Sequence, residues 1–514
     1  MMIPMLRKSY KTSLSVVVCF TLLFIAPVSE LNGNTEGEDS ITRLEKSITR
    51  LLQNSTLKDA SIGIQIVSLN SGEVVYEYNP DLSLNPASNT KLITSAVALV
   101  RLKPEYQFTT SVYTNARLQN GILSGDLYLR GGGDPLLSYE GLLFLAQEVY
   151  NAGIRIITGN IVGDDSFFDD EWEFSGWHDF EGVYSGKISA LSLSNNIVKL
   201  MITPSHRSGV APQVILDPPT SYMQITNKAV TLSSTKNRVY ASFLKPDSSL
   251  AEASSQEKLV VHGKISSKTR YGVPVYVHVK NPSLFTTTTF KDALEQIGIK
   301  VEGSPALGNV AKKSRRIALY RSDPLSYIIS DANKTSNNFV AEQLLKTLGA
   351  ELVGIPGTTE KGLQVIQEFL AELNIPPDRY VLENGSGLSR NNRLTAEQIV
   401  TLLSYMYEKF EVRAEYLASL AVAGVDGTLQ RRLRDTQAER RLRAKTGAIR
   451  SVSCLSGYAA SKDNEIFAFS IMINGYKSGG YAVKKIQNQI GLLLTEFYRP
   501  TYNARSNDSY SSYR

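Results

Sequence analysis

The chain has 514 residues, a formal charge of +6 and 42% hydrophobic content; at roughly 150 residues per domain its length points to about three domains. Its apolar and charged fractions are those of globular proteins, which excludes wholesale disorder, a collagen-like chain and a polytopic membrane protein. Three of the 55 basic residues and none of the 49 acidic ones lie in the first 29 positions, so the remainder carries only +3. Nucleic-acid binding thereby loses its main support.

Arg7, Lys8 and Lys11 precede an apolar run from Leu14 to Val28, the pattern of a secretory signal over residues 1–29. The stretch Ala26-Pro27-Val28-Ser29 is not a clean small-x-small cleavage site, and fifteen apolar residues are short of the roughly twenty a span needs. The expectation is export to the periplasm or the cell envelope outside the inner membrane, with retention as an N-terminal anchor the alternative.

Residues 40–57 show helical spacing of Ile and Leu. The stretch 61–80 alternates on both sides of Asn70-Ser71-Gly72, a hairpin signal. After Pro86, KLITSAVALVRL is apolar on nearly all faces and reads as a buried helix. From about 102 to 281 short strands alternate with Gly, Asn, Asp and Pro, interrupted by one amphipathic helix near Tyr139 to Ala152. Helices dominate again from 282, in SLFTTTTFKDALEQIGI, FVAEQLLKTLG and TAEQIVTLLSYMYEKF. Two strands, SVSCLSGYAA and EIFAFSIMING, and a last helix, YAVKKIQNQIGLLLTEFY, close the pattern; the tail 501–514 has no core-forming pattern and is expected to be disordered. A hairpin near each chain end, each flanked by helices, predicts an α+β domain whose sheet is shared by both ends. The expected division is a discontinuous domain of 36–101 plus 282–500, with 102–281 inserted as mainly-β material in two parts.

Cys19 lies in the signal, leaving Cys454 as the single thiol of the processed chain. An intrachain disulfide and a cysteine metal cluster are then excluded. His178, His206, His262 and His278 show no ligand spacing, so neither metal nor cofactor is expected. With no G-x-S-x-G, and every histidine inside the inserted block, a Ser-His-Asp hydrolase is set aside.

Ser88-Asn89-Thr90-Lys91 has S-x-x-K spacing, which puts hydroxyl and amine on one helix face. A lysine deprotonates a serine only when burial or neighbouring positive charge destabilises its ammonium, and the apolar helix after Lys91 supplies such burial. Ser55/Lys58, Ser233/Lys236 and Ser255/Lys258 share the spacing, so alone it is weak. Lys445-Thr446-Gly447 is the only K-T-G and precedes a strand, where a glycine could admit close approach of a ligand. Ser-Asn-Asn occurs twice. Ser336-Asn337-Asn338 stands before a helix, where the bland reading is capping; Ser194-Asn195-Asn196 lies between strands, where it is a turn. The first is preferred because it falls between the other two motifs in the helical block.

In order, S-x-x-K, S-x-N and K-T-G form the motif set of penicillin-binding proteins and serine β-lactamases. The 245 positions from Lys91 to Ser336 exceed what a compact β-lactamase needs. The chain resembles the D-alanyl-D-alanine carboxypeptidase/endopeptidase family of low-molecular-mass penicillin-binding proteins, which carry domains inserted there. LYLRGGGDPLL (127–137), ITGNIVGDDSFFDDE (157–171), NGSGLSRNNRLT (384–395) and VAGVDGTLQRRL (422–433) look similar too, so the resemblance runs from about residue 45 to 498. Two departures stand out: Asn384 where Asp is expected, and Asn337 in the middle of the second motif.

The resemblance implies a penicillin-binding/serine β-lactamase-like catalytic domain, an antiparallel sheet with flanking helices. It implies Ser88 as nucleophile, Lys91 as its base, Ser336 as proton relay polarised by Lys445, and Asn338 on the peptide amide. Thr446 would bind the terminal carboxylate beside Gly447, with the N–H groups of Ser88 and Ala448 as oxyanion hole. Asp179, in Trp177-His178-Asp179, would pair with the free amine of the substrate's diamino acid. Peptidoglycan peptides are the implied substrate and β-lactams the acylating inhibitors. Peripheral or N-terminal membrane association and oligomeric state stay open. The rival readings are a β-lactamase-like hydrolase, which must deacylate fast, and a wall scaffold, which needs no nucleophile.

Overall fold

Apolar stretches near the two chain ends meet in one six-stranded antiparallel sheet. Its order is Ala421–Val422, Leu442–Ile449, Val452–Ala460, Ile466–Asn474, Ser61–Ser68 and Val74–Tyr78. The computed structural model describes residues 39–176, 186–233, 236–244, 256–477 and 479–499. The expected signal segment and the C-terminal tail lie outside them. Among the described residues no helix is long and apolar enough to cross a membrane.

The central strands read as almost unbroken apolar runs because both of their faces are covered. Along Ser61–Ser68 and Ile466–Asn474, Ile62, Ile64, Ile66, Phe467, Phe469, Ile471 and Ile473 point to one side. There they meet Leu44 and Ile48 of the helix Ser40–Leu52 and Val483, Ile486, Ile490 and Leu494 of the helix Gly480–Glu496. The alternate residues Cys454, Tyr458, Ala468 and Met472 point to the other side, into a core dominated by helices. At its centre lies Thr90–Leu102, buried at every residue from Thr90 to Val100. Helices Leu325–Ser330, Asn338–Leu352, Thr359–Glu372, Ala396–Glu408 and Phe410–Ser419 pack round it. The result is a sheet between two helical layers, the mixed α+β class expected.

A separate core belongs to the intervening chain. Five strands run in the order Pro305–Leu307, Ile161–Asp164, Leu127–Gly131, Thr109–Thr114, Arg315–Arg321, beside a small four-stranded sheet of Lys300–Val301, Ile156–Ile157, Ile122–Ser124 and Arg117–Gln119. Two further small sheets take up residues 197–278. The helix Pro282–Gln296 buries Phe285, Phe290, Ala293 and Leu294 in this second core and packs on Ile161–Asp164 and Pro305–Leu307. The second core therefore continues to Arg321, where the expected boundary stood at 281. The segment is helical, as read, and its apolar face packs on the inserted sheet. Its run of four β-favouring threonines is reconciled with a helix by back-bonding. Each of Thr286, Thr287, Thr288 and Thr289 donates its hydroxyl to the carbonyl four residues earlier.

Candidate active site

The three motifs arrive on three different elements and touch pairwise. Ser88 sits in a single 3-10 turn, Ala87–Asn89, that leads into the buried helix. Asn89 donates to Ser456 Oγ at 2.6 Å, pinning this turn to the middle of the sheet. One helical turn on, Lys91 is fully buried. Its Nζ donates to Ser88 Oγ at 3.2 Å, to Asn338 Oδ1 at 2.7 Å and to the Ser386 carbonyl at 2.6 Å. Burial brings its amine down to about 7, against a smaller opposing pull from Glu342.

Ser336 follows a widened helical turn, Asp331–Thr335, and adopts a left-handed conformation with φ of 63°. Helix capping is indeed present, but Asn337 performs it: its Oδ1 accepts from Val340 N at 3.3 Å while its Nδ2 donates to Asp331 at 2.6 Å. That leaves Ser336 free to meet Lys445, whose Nζ donates to Ser336 Oγ at 2.9 Å and to the Thr446 carbonyl at 2.8 Å. Lys445 is also fully buried, and desolvation, followed by the charge of Lys91, depresses its amine well below the usual lysine range.

The third contact closes the triangle. A Cβ on Gly447 would lie 2.6 Å from the Pro86 carbonyl and 3.2 Å from Ala87 Cβ. The glycine admits the protein's own Ser88 turn close against the strand. Thr446 donates to the Thr428 hydroxyl at 2.8 Å, and Ala448, two positions on, is exposed. Ser194-Asn195-Asn196 holds a turn of the inserted part: Asn196 is buried and donates to Lys187 O and Ser192 Oγ.

Glu342, Thr428 and Asn333 escaped the sequence reading. Glu342 is buried four residues after Asn338, on the same helix face. It accepts from the backbone N–H of Gly385 at 3.1 Å and of Ser386 at 2.8 Å, and burial raises its carboxyl above the usual range. It thereby holds the loop whose carbonyl receives Lys91. A charged residue inside the apolar pattern FVAEQLLKTL was the available signal. Asn333 bridges Ser95 on the helix Thr90–Leu102 and Ser419 at 3.0 and 2.9 Å, and so fixes the turn that carries Ser336. Asn384 donates to the Ser175 carbonyl at 2.7 Å, a bond no carboxylate can make, which accounts for the departure at this position.

The inserted chain reaches this site. Phe167, Phe168, Phe174, Ile188 and Ala190 form a cluster with Phe339, beside Asn338, and with Leu388 of the 384–395 loop. Buried Lys346 ties the helix Asn338–Leu352 to Asp169 and to the Glu171 carbonyl. Trp177, His178 and Asp179 lie outside the described residues. Among the described residues there is no cluster of groups fit to hold a metal ion. Cys454 is buried, its thiol pushed up to about 12 by desolvation.

Residues 44–497 match the D-Ala-D-Ala carboxypeptidase 3 (S13) family. The chain belongs to that family. It is 34% identical over 483 residues to a D-alanyl-D-alanine carboxypeptidase of Actinomadura, covering 89% of this chain and 85% of that protein. It is 25% identical over 449 residues to the D-alanyl-D-alanine carboxypeptidase DacB of Haemophilus influenzae, covering 86% and 91%. The crystal structure of penicillin binding protein 4 from Haemophilus influenzae superposes with a TM-score of 0.72 at 23% identity, over 86% of this chain and 98% of that one. A second structure of that protein, complexed with a β-lactam, gives 0.68 at 21% identity over the same shares. This S13 chain is thus a low-molecular-mass penicillin-binding protein by family and a serine D-Ala-D-Ala carboxypeptidase by class.

Proposed function

We propose that the S13 site works through an ester on Ser88, a reading carried by the 3.2 Å contact between Ser88 Oγ and Lys91 Nζ on an amine held near 7. A substantial neutral fraction of Lys91 takes the hydroxyl proton as Oγ adds to the carbonyl carbon of the penultimate D-alanine. The N–H groups of Ser88 and Ala448 receive the charge that develops on the carbonyl oxygen, worth about 3–4 kcal/mol of barrier each. As the C–N bond breaks, the Ser336 hydroxyl, its oxygen held by Lys445, protonates the departing amine and is reprotonated with the proton that Lys91 took, which returns Lys91 to its neutral form. Thr446, backed by Thr428, takes the terminal carboxylate. Asn338 uses its oxygen on Lys91, so its NH2 faces the peptide carbonyl. Water then hydrolyses the ester.

The proposed organisation is one catalytic unit interrupted between its first and second motifs, exported to the periplasm or cell envelope, with β-lactams as acylating inhibitors. Cleavage of D-Ala-to-diamino-acid cross-links is the second activity, supported by the inserted aromatic cluster that lies against the site. Asp179 is the candidate partner for the diamino acid's ammonium. Labelled penicillin should attach to the wild type and not to Ser88→Ala; labelling that survives the substitution overturns the nucleophile. A label that washes out within minutes favours the β-lactamase reading. Mass spectrometry of a pentapeptide and a cross-linked dimer decides between the two cleavages; if neither loses D-alanine nor is split, the scaffold reading gains.

A further inference from the structure

The low net charge hides an uneven distribution. Residues 197–280 contain 11 Lys and Arg against 4 Asp and Glu, an excess of +7 that exceeds the +6 of the whole chain. This stretch forms the two small sheets of the inserted part. Three of its loops meet at one pole. The strand Ile197–Thr203 ends beside the start of Val273–His278, Ile202 pairing with Val273. Gly209 N donates to the Thr231 carbonyl at 2.8 Å and Thr231 N to the Val210 carbonyl at 2.9 Å, which brings the loop 204–210 to the end of Val230–Leu232. Ser267 N donates to the Leu232 carbonyl at 2.9 Å, and Asn237 Oδ1 accepts from Ser266 N at 2.8 Å, so the loop 267–272 and the described residues of the loop before Arg238, Ser233, Lys236 and Asn237, close beside it.

None of these three loops contains an acidic residue. Arg207, Lys236, Arg238, Lys268 and Arg270 are all exposed there, and Lys264 stands opposite Arg238 in the adjoining strand pair. The two described acidic residues of the stretch are engaged elsewhere: Asp217 pairs with Lys199, and Glu257 accepts from Tyr222 and from the backbone of Lys280. The pole also carries apolar groups that such a cationic surface does not need for solubility. Tyr271 is 89% exposed and Val210 45%.

We propose that this pole docks on the headgroup surface of an anionic phospholipid bilayer, the cations drawn to lipid phosphates and Tyr271 seated among the headgroups. An anionic membrane attracts each nearby Lys or Arg, and tyrosine favours its interfacial layer. A soluble polyanion would satisfy the cations but offers nothing to bury Tyr271 and Val210, which selects the bilayer. The inference is independent of the chemistry at Ser88, and the pole shares no residue with that site.

The test is vesicle flotation of the full chain on phosphatidylcholine alone and on a mixture with phosphatidylglycerol. Arg238→Ser/Lys268→Ser/Arg270→Ser and Tyr271→Ser are compared with wild type, and turnover of a soluble D-Ala-D-Ala peptide serves as the folding control. The wild type should prefer the anionic vesicles, with the preference falling as salt is raised. Three charges removed should weaken that binding on the order of 100-fold. Tyr271→Ser should weaken it severalfold without changing its salt dependence, and all variants should keep wild-type turnover. Equal binding of wild type to both vesicles overturns the proposal, as does triple-variant binding that matches wild type. Charge-dependent binding to soluble poly(glycerol phosphate) in preference to anionic vesicles, untouched by Tyr271→Ser, would assign the pole to a polymer and likewise overturn it.

Discussion

The two buried lysines set the chemistry by what they lack, which is water. Lys91 needs its neutral form to act as a base, and with an amine near 7 that form grows as pH rises. The rate of acylation by a peptide or by penicillin should therefore climb with pH through a midpoint near 7, measured as kcat/KM or as labelling rate. Lys91→Met should cost about 10²–10⁴-fold in that rate. The same residue shapes stability. Its folded value near 7 lies below the 10.5 of a free lysine, so the unfolded chain binds more protons between those values and stability rises with pH across that window. Urea unfolding at pH 7 and 9.5 should show this slope, and Lys91→Met should reduce it. Glu342 pulls the Lys91 amine upward. Glu342→Gln should shift the pH–rate midpoint to lower pH while leaving Lys91 in place; an unmoved midpoint would show that the carboxyl only holds the loop. Ser88, Lys91, Ser336, Asn338 and Lys445 were legible because each sits at a fixed short spacing within its motif. Glu342 and Thr428 were not, since the partners that give them a role come from distant parts of the chain.

At the scale of elements, the site depends on how closely the K-T-G strand and the turn that carries Ser88 can approach. Gly447→Ala would set a methyl group 2.6 Å from a backbone carbonyl, an overlap neither partner can relieve by a rotamer change. A loss of roughly 1–3 kcal/mol in stability is expected, together with slowed penicillin labelling, because the displaced atoms adjoin Ser88. Both can be followed in one preparation by thermal melting and fluorescent labelling. Helices and strands were legible where periodicity is strong: the fully apolar run after Pro86 became Thr90–Leu102, and the two C-terminal strands became neighbours in the central sheet. The helix Pro282–Gln296 was legible as an element, but its affiliation was not. Which core an amphipathic face joins depends on complementary surfaces that no local pattern records.

For the whole molecule, Lys346 couples the inserted chain to the helix Asn338–Leu352. Its side chain is 3% exposed and its carboxylate partner, Asp169, 18%. Lys346→Met should destabilise the protein by about 3–5 kcal/mol, since Asp169 would be left without its cation in a largely dry setting. Denaturant unfolding would read this, and a variant as stable as wild type would show that the insertion docks without it. The discontinuity of the chain has a further consequence, one of timing. Ser61 and Asn474 are partners in neighbouring strands although 413 positions separate them. During vectorial synthesis the first strand must wait for almost the entire chain before its neighbour exists, while the second core, closed by residue 321, can form in the meantime. The turn that carries Ser88 has no K-T-G strand to rest on until that late pairing occurs. A nascent or truncated chain therefore carries its serine in an unassembled site, and the ability to acylate arrives only with the last strands to be made.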